Sequence, residues 1–190
     1  MRILVIGYGL IASSIVHKFE KDGHTVQVFS RSAHKEILSQ QVLGDIFDFD
    51  RFLSVLRWKP QVVIHTAWIT TPGTYRTHPL NYKYAEFTKN LAGLIAHSDV
   101  EHLVVLGTCA EYGHQNEPCR AGKTHPVPLT LYAQQKVEAH KSVRKILQGS
   151  QVKFTWARIF YPYGPKQDSR RLIPKLINAI FAIVNLQAFN

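Results

Sequence analysis

Six short apolar runs rich in β-branched residues recur along the chain, and stretches with helical spacing separate most of them. This alternation constrains the fold more than any single motif. The runs are RILVIG (2–7), TVQVFS (25–30), QQVLGDI (40–46), QVVIHTA (61–67), EHLVVLGT (101–108) and VKFTWARIF (152–160). Helical patterns are expected over 10–23, 48–59, 82–98, 131–148 and 170–184, the last with Pro174 in or near its first turn. In the first helix Ile11, Ile15, Val16 and Phe19 share a face, and Gly23 is the stop. The second opens with acids and closes with bases, as the helix macrodipole favours. Such alternation predicts a parallel sheet wrapped by helices on both faces, an α/β doubly wound fold. The segments 68–80 and 111–130 read as loops rich in Pro, Gly, Thr and His. Both follow the carboxyl end of a strand, where open α/β sheets bind their ligands.

A chain of 190 residues, 45% of them hydrophobic, suits one domain with a real core. No apolar stretch is long enough to span a bilayer. The run at Met1 to Gly7 meets a glycine turn rather than a cleavage site, so it reads as a buried first strand. Cys109 and Cys119 form neither a metal-type spacing nor a disulfide framework, which points to a reducing cytoplasm. The net charge of +10 favours anionic partners, among them phosphorylated small molecules. Its Lys and Arg are dispersed, so neither nucleic acid nor membrane is expected as a partner. The histidines carry no metal-binding signature, and no metal ligand set is expected.

The first strand runs into GYGLIA, Gly7 to Ala12, matching G-x-G-x-x-A. Gly7 permits a tight turn, Gly9 lets the backbone approach a pyrophosphate, and Ala12 allows close helix packing. Leu10 and Ile11 then open a helix whose free N–H groups suit phosphate. In this context the motif reads as a Rossmann-type dinucleotide site. After the second strand stands FSRS rather than an acidic residue. Arg31 can pair with a 2′-phosphate, so NADP is expected ahead of NAD.

The fifth strand ends in GTCAEYG (107–113), and YAQQK (132–136) places a lysine one helical turn after a tyrosine. Together with GYGLIA, GDI (44–46), PQVVIHTAW (60–68) and ARIFYPYGP (157–165), these segments resemble the extended short-chain dehydrogenase/reductases, the NAD(P)-dependent epimerase/dehydratase group that acts on nucleotide sugars. The resemblance implies a catalytic set of Thr108, Tyr132 and Lys136. Tyr132 would move the substrate proton, Lys136 would favour the phenolate and grip the cofactor ribose, and Thr108 would bond the reacting oxygen. It also implies that Asp45 and Ile46 border the adenine, that His65, Thr66 and Ala67 line the cleft, and that Arg158 and YPYGP lie by the nicotinamide end. HTAW stands where HLAA is usual, which places bulky Trp68 near the cleft. Asn81 aligns ambiguously with an expected helix asparagine.

Family members usually continue for roughly a hundred residues more, in keeping with ordinary domain sizes. Residues 1–165 are therefore expected to form the cofactor domain with its catalytic residues, and 166–190 to begin a truncated substrate-binding region. Two readings follow. One is an enzyme, or its remnant, acting on a nucleotide sugar. The other is a non-catalytic NADP-binding sensor or regulatory module. Helices 82–98 and 131–148 carry apolar residues on more than one face, which suggests a homodimer built through them.

Overall fold

The computed structural model describes residues 1–165 and 167–187. Lys166 and the last three residues, which fall in the region assigned above to a substrate-binding part, lie outside the described residues.

Six strands form one sheet: β1 (Arg2–Ile6), β2 (Thr25–Ser30), β3 (Gln40–Leu43), β4 (Val62–His65), β5 (His102–Thr108) and β6 (Lys153–Ile159). Their order is β3-β2-β1-β4-β5-β6, and every pairing is parallel. Five helices connect and follow them: α1 (Leu10–Lys21), α2 (Phe49–Leu56), α3 (Leu80–Ile95), α4 (Leu131–Ile146) and α5 (Leu172–Gln187). Crossing from β3 to β4 carries the chain back across β1. The direction of winding reverses there, which opens a crevice between the carboxyl ends of β1 and β4.

Alternation along the strands divides the core. Leu4 and Ile6 of β1 enter one cluster with Phe52 and Val55 of α2, Leu91 and Ile95 of α3, and Val143 of α4. Ile3 and Val5 face the other cluster with Ala12 and Val16 of α1. Helices therefore cover both faces, as the near-continuous apolar strands require.

The elements differ from expectation mainly at their ends. The third strand stops at Leu43 instead of running through Ile46. A short 3-10 turn over Cys109–Tyr112 follows β5, where a loop was expected. The apolar surplus on α3 and α4 is consumed within the chain. Tyr84, Phe87, Leu91, Ile95, Val137, Val143 and Leu147 are all buried, and Leu94 and Ile146 pack partly against the same cluster. Because α3 packs against α4 as well as the sheet, it needs two apolar faces. The groove outside them is lined by Tyr82, Glu86, Lys89, Gln135, Glu138 and Ser142. Among the described residues no helix is long and apolar enough to cross a membrane.

Candidate active site

The crevice begins at Gly7. Its φ of +88° belongs to glycine, and a Cβ there would lie 2.8 Å from Ala67. Ala67 N–H donates to the Ile6 carbonyl at 3.0 Å, and Thr66 Oγ1 donates to the same carbonyl at 3.0 Å. The turn after β1 is thus fused to the turn after β4 through Thr66 and Ala67. Gly9 is different. It caps α1 in an extended conformation, φ −147°, and a Cβ on it would meet nothing within 4 Å. No side chain caps α1, and its first turn carries no acid. The helix therefore presents its positive end and uncapped N–H groups, those of Leu10 and Ile11 among them, to open space, a cradle that fits a pyrophosphate. Gly164 of the YPYGP segment approaches this rim, where a Cβ would lie 3.9 Å from Leu10.

At the far rim, Arg31 is exposed just after β2 and Asp45 is exposed two residues beyond β3, while Ile46 is buried. Arg31 and Asp45 pull the pKa of the Tyr84 phenol in opposite directions, and burial, the larger influence, raises it. These residues gather on one side of the crevice.

The proposed proton-handling residues converge beyond β5. Thr130 caps α4 by accepting from Ala133 N–H at 3.2 Å, so Tyr132 stands in the first turn and Lys136 one turn later. Tyr132 N–H donates to the Arg76 carbonyl at 3.0 Å. Burial pushes the Tyr132 phenol up to about 12, and hydrogen bonding by the Thr108 side chain acts in the opposite direction. Thr108 is itself held by a capping box. Its Oγ1 accepts from Ala110 N–H, and its own N–H donates to Glu111 Oε1 at 2.9 Å.

Lys136 is the departure. It is buried, donates from Nζ to the Leu106 carbonyl at 2.6 Å, and lies 3.7 Å from the centroid of the Trp68 ring. Burial lowers its pKa to about 7, with Glu111 acting the other way. Lys136 Nζ is thus engaged by the Leu106 carbonyl and the face of Trp68. Trp68 is fixed in turn. Its Nε1–H donates to Asn81 Oδ1 at 2.7 Å, and its ring stacks on Tyr84 at 5.5 Å. Asn81 Nδ2 donates to the carbonyls of Tyr75 and His78, which ties the 69–79 loop down.

His65 does not open onto the cleft. It is buried at the end of β4 with its ring against Phe87, and burial, then Lys136, lower its pKa to about 3. Thr88 Oγ1 donates to the Tyr84 carbonyl, so it must accept from His65 Nε2 at 3.0 Å. With that pKa the ring is neutral, and among the described residues its buried Nδ1 has no hydrogen-bond partner. Arg158 lies against the turn that follows β5. Its Nε donates to Glu111 Oε2 at 2.6 Å and its Nη1 to the Tyr112 hydroxyl at 3.2 Å, so it props the turn that bears Thr108.

The model of the NAD-dependent epimerase/dehydratase family matches residues 3–184. The chain belongs to that family. No curated protein matches it. Among solved structures it is similar to MoeE5 in complex with UDP-glucose and NAD (TM-score 0.78, 23% identity, 94% of this chain and 60% of that one). It is also similar to UDP-glucuronic acid 4-epimerase from Bacillus cereus in complex with NAD (0.77, 22%, 95% and 62%). The dTDP-glucose 4,6-dehydratase from Bacillus anthracis in complex with NAD is comparable (0.78, 21%, 96% and 62%). Identities this low speak for the fold alone. The chain spans less than two thirds of the length of each of these proteins.

Sequence reasoning missed Glu111. This fully buried carboxylate accepts from Thr108 N–H, Trp156 Nε1–H and Arg158 Nε–H. The only signal was an acid inside GTCAEYG, with a tryptophan and an arginine in the next strand.

Proposed function

We propose that the chain is the cofactor-binding part and acid–base face of an NAD(P)-dependent oxidoreductase, epimerase or dehydratase acting on a nucleotide-activated sugar. The observation that carries this reading is the meeting of Tyr132 with Thr108 at the carboxyl edge of β5, beside an open glycine turn. Tyr132 Oη exchanges a proton with a sugar hydroxyl or carbonyl, and Thr108 Oγ1 orients that oxygen. When bound, the nicotinamide supplies or accepts the hydride. A phenol held near 12 is a proton donor at neutral pH. To act as a base it needs a nearby positive charge, which Lys136 supplies on leaving Trp68. Arg31, with Ser30 and Ser32 in place of an acid, supports NADP over NAD.

Residues 1–165 act as the cofactor domain and 166–190 begin a substrate-binding region. This division is supported by α5, where Leu172 is 69% and Phe181 63% exposed. We also propose a homodimer through the outer groove of α3 and α4, where Ala85 and Ala139 lie among Tyr82, Glu86, Lys89 and Glu138 and offer mixed apolar and charged contacts. Because the surplus apolar residues of these helices are already buried within the chain, this pairing is expected to be weak. Sedimentation over a tenfold concentration range tests it, and a monomer throughout would contradict it. A cytoplasmic setting accords with the free cysteines.

Conversion of UDP-glucose, UDP-glucuronic acid and dTDP-glucose is followed by chromatography alongside cofactor absorbance, because an epimerase or dehydratase returns the hydride to the sugar and leaves no net change in the cofactor. The expected result is conversion of at least one of them. Tyr132→Phe abolishes it and changes cofactor affinity by less than about twofold, while Lys136→Ala weakens both. Full activity in Tyr132→Phe contradicts the assigned role. The alternative, a non-catalytic cofactor-binding module, is favoured by the engagement of Lys136 with Trp68 and the Leu106 carbonyl. Tight cofactor binding without turnover on any sugar nucleotide would select it.

A further inference from the structure

Two arginines stand at the lip of this site without an assigned task. Arg76 lies in the loop between β4 and α3, and Arg171 immediately precedes α5. Both gather on Tyr75, their guanidinium carbons 5.9 and 5.5 Å from its ring centroid. Tyr75 sets its ring edge-on to that of Tyr132 at 5.0 Å. The two cations are positioned by backbone. Arg171 Nη2 donates to the Thr70 carbonyl at 3.0 Å, across 101 residues of sequence, and the Arg76 carbonyl holds Tyr132 N–H.

Among the described residues neither guanidinium forms a salt bridge, whereas Arg158 and Arg170 each have a carboxylate. Asp168 takes three bonds from Arg170, one from its backbone N–H and two from its guanidinium, although Arg171 also helps to lower its pKa. Arg76 has its charge reinforced by Tyr75, to which its Nε donates, and by Tyr161. The helix that starts at Leu172 has no acid in its first turn. A solvated arginine on an open surface needs no anchor. Here two are fastened to one tyrosine beside the candidate proton donor, and among the described residues neither is paired with a carboxylate.

We propose that Arg76 and Arg171, braced on Tyr75, form a subsite for an anionic oxygen group of the substrate. The group is either a diphosphate or a carboxylate carried by the sugar, since both present the paired oxygens that a guanidinium recognises. The proposal rests on the reading of Tyr132 as the acid–base residue. It adds that the substrate bears its negative charge next to Tyr75.

The test is calorimetric titration of the full chain with inorganic pyrophosphate, UDP-glucose and UDP-glucuronic acid, at low and moderate salt. At least one probe is expected to bind, more weakly as salt rises. Arg76→Gln is the deciding variant, because its side chain is exposed and its backbone contact to Tyr132 survives. It should weaken that probe about tenfold, the scale of one charge-assisted bond. Arg76→Lys should keep part of the affinity. Loss on pyrophosphate and UDP-glucose assigns the diphosphate, and loss confined to UDP-glucuronic acid assigns the carboxylate. No binding by any probe, or binding indifferent to Arg76→Gln, overturns the proposal. NADP(H) titrated separately should bind both proteins alike. Failure of the unaltered chain to bind it would sink the enzyme reading and leave the anion result standing on its own.

Discussion

Lys136 shows how one residue can be legible in type and illegible in state. Its place one turn after Tyr132 follows from sequence spacing. Its burial beneath Trp68 does not, because that contact joins side chains 68 positions apart. Trp68 itself was visible as a bulky residue near the cleft, but its bond to Asn81 depends on how the 69–79 loop folds back. His65 was expected in the cleft and faces the core instead, since the pleat turns it toward α3. The buried amine gives a sign-definite test. Its folded pKa of about 7 lies below the unfolded value of about 10.4. Between these values the unfolded chain binds the extra proton, so stability should rise with pH across that window. Below about pH 7 both states are charged and the slope from this group vanishes. Lys136→Met removes a buried amine whose charged form is disfavoured by burial. It should melt higher than the parent at pH 7, and the gap should close toward pH 9.5. Parallel melting curves for the two proteins over that range would contradict the assignment.

At the level of elements, the six strands and five helices follow from apolar periodicity, and only their ends shift. What periodicity cannot see is which helices touch. The surplus apolar face of α3 suggested a second subunit, whereas α4 of the same chain covers it. The 3-10 turn after β5 was equally hidden, because it exists through Glu111. That carboxylate accepts from a backbone N–H on the turn and from Trp156 and Arg158 of β6, binding the turn to the sheet edge. Glu111→Gln keeps the shape but turns an amide N–H toward donors and leaves Arg158 without its countercharge. The expected loss is about 3 kcal/mol in urea unfolding, the scale for breaking a buried ion pair. A loss below about 1 kcal/mol would show that the turn stands without it.

For the whole molecule, the reversal of winding between β1 and β4 decides where a ligand goes, and the glycine turn decides what kind. The two glycines of that turn separate folding from binding. Gly7 is locked by its positive φ and by Ala67, so a side chain there disrupts the crevice itself. Gly9 has backbone angles that any residue adopts, and its missing side chain leaves only empty space. Gly9→Val should therefore fold with an unchanged melting temperature and fill the cradle. Titration of NADPH and NADH into the parent chain and into Gly9→Val tests the central claim most directly. The parent should bind NADPH more tightly than NADH. Gly9→Val should lose about a hundredfold in affinity or more, roughly 3 kcal/mol, with its fold intact. Equal affinity of the two proteins for NADPH would contradict the claim.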